Sequence, residues 1–159
     1  MAVRQTTTGF EDVTRQLAQL EMSAQGVAAA ALYEGAAVMA DAYAQAVNAI
    51  EDAPFRYAFN GRTRKPSPEE KAALQGATGI ARFRKSGDSV DTSVGLQNAG
   101  YTTINGKTKP IPQIANAINS GTSFMQKQPV FRQAASKAKQ RAQAAIKAKG
   151  EEMLRELTK

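Results

Sequence analysis

Apolar residues recur at every third or fourth position over two long stretches of the chain, and this spacing commits much of the sequence to α-helix. The first stretch runs from Val27 through Val38 to Ile50, and the second runs from Phe131 to Leu157. Residues spaced in this way lie on one face of a helix and can pack against a partner. Aromatic residues make up only 6% of the 159 residues and Trp is absent, so we expect a core built mainly of Ala, Val, Ile, Leu and Met.

Local signals place the ends of the N-terminal helices. Thr8 and Glu11 stand three residues apart, as in a capping box, and predict a helix that begins just after Thr8. Large apolar residues are missing around Ser23–Gly26, which predicts a weak joint between a short helix and a long one. Proline disfavours helical geometry in the residue before it. Pro54 therefore marks where the helical region must already have ended, and we expect that region to cover residues 9–52.

One glycine lies directly before the first apolar stretch and another lies within it. Gly26 and Gly35 would each cost about 1 kcal/mol in a helix relative to alanine. We therefore expect them to allow another helix to approach closely.

A basic loop follows the helical region. Residues 53–78 contain the turn pair Asn60-Gly61, the closely spaced prolines Pro66 and Pro68, and a group of three cations. Because such turn pairs and prolines interrupt regular structure, we predict an exposed loop in which Ser67 caps only a brief helical turn. The cations, which we consider candidates for an interface or for the lining of a channel, are Arg62, Arg64 and Lys65.

The apolar period then changes from helical to alternating. Alternation over Ile80–Lys85 and Val90–Leu96, with a Ser-Gly-Asp turn between them, predicts a β-hairpin. Tyr101–Ile104 and Thr108–Ile111 are joined by an Asn-Gly turn and predict a further pair of short strands. We therefore expect a β-hairpin region over residues 79–111.

Two helices close the chain. Residues 112–120 carry a short apolar stripe that Gly121 should end, and a proline suited to a first helical position opens a helix over residues 129–157. Lys137 and Arg141 fall roughly opposite the apolar stripe of this last helix. They are expected to face solvent or a partner.

These elements predict one domain, residues 1–159, of the α+β class. Long N-terminal helices and a basic C-terminal helix would pack on a small antiparallel β-sheet. No run approaches the roughly 18 apolar residues of a membrane span, and the first eight residues lack the apolar stretch of a secretion signal. We therefore expect a soluble chain that neither contacts a membrane nor is exported.

The net charge of +7 is unevenly placed. Residues 1–50 carry −3, residues 51–110 carry +4 and residues 111–159 carry +6. Residues 127–149 hold seven lysines and arginines and no acid. That density suits a phosphate backbone or an acidic partner, and it also suits a solvated helix face. Aromatic residues are absent from residues 132–159, so this helix is better suited to duplex phosphates than to unpaired bases.

Enzymatic chemistry finds little support in the sequence. The chain has no Cys and no His, which removes thiolate nucleophiles, imidazole bases and Cys/His zinc sites. The string Gly100–Thr108 has five residues between its glycines, whereas a phosphate-binding loop needs four, so we interpret it as a turn. Acidic pairs such as Glu69 and Glu70 are sequence neighbours and diverge on a helix. We expect no catalytic residue, metal site or cofactor.

The segment Asn119–Ala134, NSGTSFMQKQPVFRQA, resembles the tail-component family of long-tailed phages, the neck or tail-completion proteins that join head to tail. Members often show an acidic residue, Gly-Thr, a short spacer, Pro and Phe, an Arg and an Ala before the last helix. Here Asn119 stands in place of the acid, Gln133 replaces a common Pro, and the basic loop is expanded. The order of the predicted elements agrees with the family over most of the chain. The matching residues are Gly121, Thr122, Pro129, Phe131, Arg132 and Ala134.

The resemblance implies a structural virion subunit that forms a ring in the phage neck, on the path of the packaged DNA. A ring of six is expected, with twelve as the alternative. Its partners would be head-completion or adaptor proteins on one side and tail-terminator or tail-tube proteins on the other, and it would be synthesised in the host cytoplasm. Phe131 would anchor the last helix, whereas Phe124 would contact a neighbouring subunit. The alternative is a basic helical protein that binds nucleic acid nonspecifically through residues 127–149.

Overall fold

The computed structural model of the chain describes residues 24–87, 89–96 and 100–157. In this part of the chain, helices pack with small antiparallel sheets in an α+β fold, as the sequence predicts. The predicted helix that follows Thr8 lies outside the described residues. The described helices are α1 (Ala24–Asn48), α2 (Pro68–Ala77), α3 (Ile111–Ser120) and α4 (Val130–Leu157).

The described strands are short and pair in antiparallel ladders of two. They are β1 (Thr78–Ile80), β2 (Arg84–Ser86), β3 (Ser89–Asp91), β4 (Val94–Leu96), β5 (Tyr101–Ile104) and β6 (Lys107–Pro110). β1 pairs with β4 and β2 pairs with β3, so these four strands are the two halves of one interrupted hairpin. At the interruption the Thr92 hydroxyl donates to the Ala81 carbonyl at 2.7 Å. β5 and β6 form a separate hairpin, which turns through Asn105 and Gly106, both with positive φ.

α1 and α4 form an antiparallel pair. The ring centroids of Tyr43 and Phe131 lie 5.8 Å apart, and further along the pair Gly150 faces the Ala31 side chain. Small side chains fill the contact, so the two backbones come close together. The buried residues of this cluster are Ala42, Ala134 and Ala138.

The main core lies at the C-terminal end of α1, where α2, α3 and the chain before α4 converge. Its residues, nearly all aliphatic, come from every one of these segments, so the short elements are held by shared burial rather than by their own length. The buried members are Val47, Ile50, Leu74, Ala77, Ile104, Ile111, Ile114, Ala115, Ile118 and Met125.

Three helix boundaries differ from those expected. α1 ends at Asn48 rather than at residue 52. Ala24–Gly26, placed in a weak joint by the sequence pattern, lie inside α1. The ten residues of α2 fall in the region predicted as a loop. The proline at position 68 begins this helix rather than interrupting it, because a first helical position needs no N–H donor. The capping expected at Ser67 is present: its hydroxyl accepts from the Glu70 amide at 3.2 Å, and the Glu70 carboxylate accepts from the Ser67 amide at 2.9 Å.

Gly35 is the point where a side chain would obstruct the helix pair. A Cβ built there would contact the Ile146 side chain, 2.6 Å from its Cδ1, and would lie 3.1 Å from the backbone oxygen of Ala142. We expect Gly35→Ala to lower the free energy of unfolding, because overpacking typically costs about 1–3 kcal/mol. Gly76→Ala is the matched control, since Gly76 is an exposed helical residue with open space around it.

Urea unfolding monitored by circular dichroism measures the free energy of unfolding of both variants. Gly76→Ala should gain roughly 0.4–1 kcal/mol, and Ile146→Ala should cost less in the Gly35→Ala background than in the native chain. Equal gains from the two glycine substitutions would show that α4 moves aside freely at Gly35.

Candidate functional site

Lys137 and Arg141 lie beside the contact between α1 and α4 rather than opposite it. Both are exposed, and they line an open groove of about 270 Å³ together with Gln45 and Ala46 of α1. The expected placement is corrected because the buried face of α4 is centred on small alanines such as Ala138. Lys137 and Arg141 each lie three residues after a buried alanine, Ala134 and Ala138. The two cations therefore border the edge of the helix pair.

The exposed side of α1 is acidic. The helix carries Glu34 and Asp41 and has no lysine or arginine. Both carboxylates are exposed. Burial raises the pKa of the neighbouring Tyr33 hydroxyl, and the negative charges of Glu34 and Asp41 raise it further. The helix pair therefore presents negative charge along α1 and positive charge along α4.

The spacer between α3 and α4 is ordered by its own residues. Gly121 ends α3 with φ of 76°, and its amide donates to the Ala117 carbonyl at 2.9 Å. The Thr122 hydroxyl accepts from the amides of Phe124 and Met125 at 3.3 and 2.9 Å. Met125 enters the core, whereas the Phe124 side chain is 49% exposed. Thr122 thus fixes a turn that leaves an aromatic ring at the surface.

The other residues of the NSGTSFMQKQPVFRQA segment divide between core and surface. Pro129 directly precedes α4, and its carbonyl accepts from the Gln133 amide at 3.3 Å. Phe131 packs against the main core, and Ala134 is buried against α1. Arg132 is exposed.

Arg64 is not an exposed loop residue, which corrects the sequence-based expectation. Its side chain is 8% exposed and that of Glu70 is 1% exposed. Two hydrogen bonds of 2.7 Å join the guanidinium to the carboxylate, and the guanidinium lies 4.9 Å from the centre of the Phe55 ring. The burial arises because α2 carries Glu70 beneath the loop. Arg64 therefore supports the loop from below.

The charge of Glu70 is maintained by its partners. Burial by itself would raise the pKa of this carboxyl, but hydrogen bonds from Arg64 and the Ser67 amide, together with the Arg64 charge, hold that pKa below its ordinary value of 4.5. The other two cations predicted in the loop stay at the surface. Lys65 bonds Glu51 at 2.7 Å, and this hydrogen bond and charge lower the pKa of Glu51.

The sequence analysis missed the aromatic rings of residues 54–63, here called the 54–63 loop. Tyr57 is 74% exposed and Phe59 is 76% exposed. With Arg56 and Arg62, they line an open cavity of about 670 Å³, within the range of ligand clefts. The signal that could have found them is the mixed run Phe55-Arg56-Tyr57, followed by Phe59 and Arg62.

Comparison with protein-family models, curated proteins and solved structures finds no match for this chain. Across the described residues, no group of three or more acidic side chains comes together as a metal site. The helices described here also include none with the length and apolar character needed to cross a membrane. The chemistry on which a function can be argued is therefore that of the charged helix pair, the spacer and the 54–63 loop.

Proposed function

We propose that this chain is a structural subunit of the neck of a long-tailed phage, where its copies form a closed ring between capsid and tail. The family resemblance of the NSGTSFMQKQPVFRQA segment suggests the class. The observation that carries the proposal is the opposite charge of two helices that lie side by side in one subunit. Such a subunit offers two different faces, which is the requirement for a heterologous contact that closes into a ring.

The charges on these faces are available for contacts between subunits. α4 carries seven lysines and arginines against three glutamates. From its start through Arg141, every charged residue is a cation. Among the ion pairs of the described residues, none joins α1 to α4. Lys137 and Arg141 could therefore meet Glu34 and Asp41 of the next subunit. Phe124, exposed on the ordered spacer, supplies an apolar contact of the kind that interface centres favour.

The proposed ring has six subunits, with twelve as the alternative, and both numbers come from the family resemblance. It would lie in the virion between a head-completion or adaptor protein and a tail-terminator or tail-tube protein, and would surround the packaged DNA. Synthesis would take place in the host cytoplasm. The gene should then lie between genes for capsid and tail-tube proteins.

Charge reversal tests the ring contact. Lys137→Glu with Arg141→Glu should leave the melting temperature of the free chain nearly unchanged, because exposed charges contribute only about 0–1 kcal/mol each. It should reduce the number of tailed particles in cells that express the variant in place of the native chain. Adding Glu34→Lys and Asp41→Lys to this variant should restore assembly, because the faces of α1 and α4 then carry opposite charges again, with the signs exchanged. Unchanged assembly in the first variant, or electron microscopy that places single subunits off the channel axis, would contradict the proposal.

Nonspecific nucleic-acid binding is the alternative function, favoured by the seven cations of residues 127–149. The salt dependence of DNA binding and of self-association distinguishes the two functions. A free chain whose affinity for duplex DNA falls steeply with salt fits the alternative, whereas self-association that persists at high salt fits the ring.

A further inference from the structure

We propose that the 54–63 loop binds single-stranded nucleic acid, with Tyr57 and Phe59 stacking on unpaired bases and Arg56 and Arg62 contacting phosphates. The two rings are among the most exposed large apolar side chains of the described residues. Exposed aromatic residues interleaved with cations are the chemistry by which proteins hold single strands without reading their sequence. This activity would belong to the free chain and does not depend on the proposed ring.

The charges around the loop favour a polyanion. No carboxylate occurs between residues 53 and 68. The acids that flank the loop are already bonded to other cations: Glu51 to Lys65, Asp52 to Lys71 and Glu70 to Arg64.

Arg56 and Arg62 are exposed, and within the described chain neither takes part in an ion pair. The positive charge at the tip of the loop is therefore not neutralised by an ion pair with any residue that the structure describes.

The base of the loop is fixed, so the rings are presented by an ordered support. The amide of Arg64 donates to the Phe124 carbonyl at 2.8 Å, and the Arg64 carbonyl accepts from the Gln126 amide at 2.8 Å. Above this base the Phe55 ring meets the Tyr57 ring edge to face, with centroids 5.2 Å apart. Because Arg64 also lies over Phe55, Tyr57 rests on a stack that ends in a buried ion pair.

A tight turn completes the tip. Asn60 and Gly61 both adopt positive φ, 51° and 70°, and the Arg62 amide donates to the Phe59 carbonyl at 3.1 Å. This turn places Phe59 and Arg62 side by side on paired backbone. The turn thus holds an aromatic residue next to a cation. A single nucleotide offers a base to the ring and a phosphate to the cation.

Single strands fit these features better than duplex DNA or a protein partner. Bases in a duplex are stacked on one another, so two protruding rings would gain nothing from contacting it, whereas unpaired bases stack on aromatic side chains. A protein-binding patch has an apolar centre with its charges at the rim. Here Arg56 stands between Phe55 and Tyr57, and Arg62 pairs with Phe59 across the turn.

Fluorescence anisotropy with a labelled 20-nucleotide oligo(dT) tests the inference on the full chain. The oligonucleotide should bind more tightly than a 20-base-pair duplex. Tyr57→Ala and Phe59→Ala should each weaken binding about tenfold. Tyr101→Ala is the matched control, because Tyr101 is also 74% exposed but lies on β5, and it should have no effect.

The arginines give a second, independent readout. Arg56→Gln with Arg62→Gln should lower the slope of log affinity against log salt by about 1.4, since each phosphate contact on a single strand contributes about 0.7. The Lys137→Glu, Arg141→Glu chain should bind the oligonucleotide like the native chain.

Several outcomes would overturn the inference. They are no measurable binding, binding that survives loss of both rings, and binding lost through the α4 variant instead. Loop variants that abolish self-association but leave oligonucleotide binding intact would instead identify a protein-docking loop. The three oligonucleotide-binding results can occur with the neck ring present or absent, so the two proposals fail separately.

Discussion

Glu70→Gln should lower the free energy of unfolding by about 3–5 kcal/mol, the typical loss when one partner of a buried ion pair is removed. The amide keeps the size of the side chain and can still accept from the Ser67 amide, so the helix cap survives. What is lost is the negative charge, which leaves the Arg64 guanidinium, 8% exposed, without its counterion. A loss of this size is a large fraction of the roughly 5–15 kcal/mol by which domains are stable.

Glu69→Gln is the control, because Glu69 is exposed in the same turn of α2 and surface changes usually stay within about 0.5 kcal/mol. Urea unfolding at neutral pH compares the two variants. Equal midpoints would show that another group satisfies Arg64 when Glu70 is neutral.

The pH dependence of stability follows from the same pair. Because the pKa of Glu70 is lower in the folded chain than its ordinary value of 4.5, the ionised carboxylate stabilises the fold above that value. This contribution is lost as the pH falls from about 4.5 through the lower pKa of the folded state. The native chain should therefore lose more stability than Glu70→Gln over this acid range.

Phe131→Ala should cost about 3 kcal/mol, the lower end of the range for removing a Phe ring from a core. Phe131 is only partly buried, but it packs against the main core and against Tyr43 of α1. Phe124→Ala should change the stability of the free chain by no more than about 0.5 kcal/mol, since that ring is 49% exposed.

Thermal melts followed by circular dichroism compare these two aromatic substitutions. We expect the Phe131→Ala melt at a clearly lower temperature and the Phe124→Ala melt close to that of the native chain. If Phe124→Ala is the less stable variant, the assignment of one ring to the core and the other to the surface is wrong.

The sequence predicted those features that depend on neighbouring residues. The 3.6-residue period fixed α1 and α4, the Asn-Gly turn fixed the β5–β6 hairpin, and Gly121 marked the end of α3. Each of these signals acts over a few positions, so a single sequence contains all the information needed.

The features that depend on distant segments were not predictable in the same way. Arg64 looks like any other loop cation until the first turn of α2 brings Glu70 against its guanidinium and its backbone pairs with Met125, far along the chain. The place of Lys137 and Arg141 beside the contact was missed because alanine suits both a buried and an exposed position. The position of Lys137 beside the groove depends on which alanines contact α1, and alanine spacing alone does not decide this.

The base of the 54–63 loop joins parts of the chain that are far apart in sequence. Arg64 pairs with the backbone at Met125, and the Gln128 side chain bonds both backbone groups of Glu51, 77 residues away, at 2.9 Å. Closing so much intervening chain costs entropy before such contacts are gained, so we expect them to form after the folding transition state. Interactions absent from the transition state slow unfolding without accelerating folding. The contacts that hold the loop should therefore lower the unfolding rate of the native chain more than they raise its folding rate.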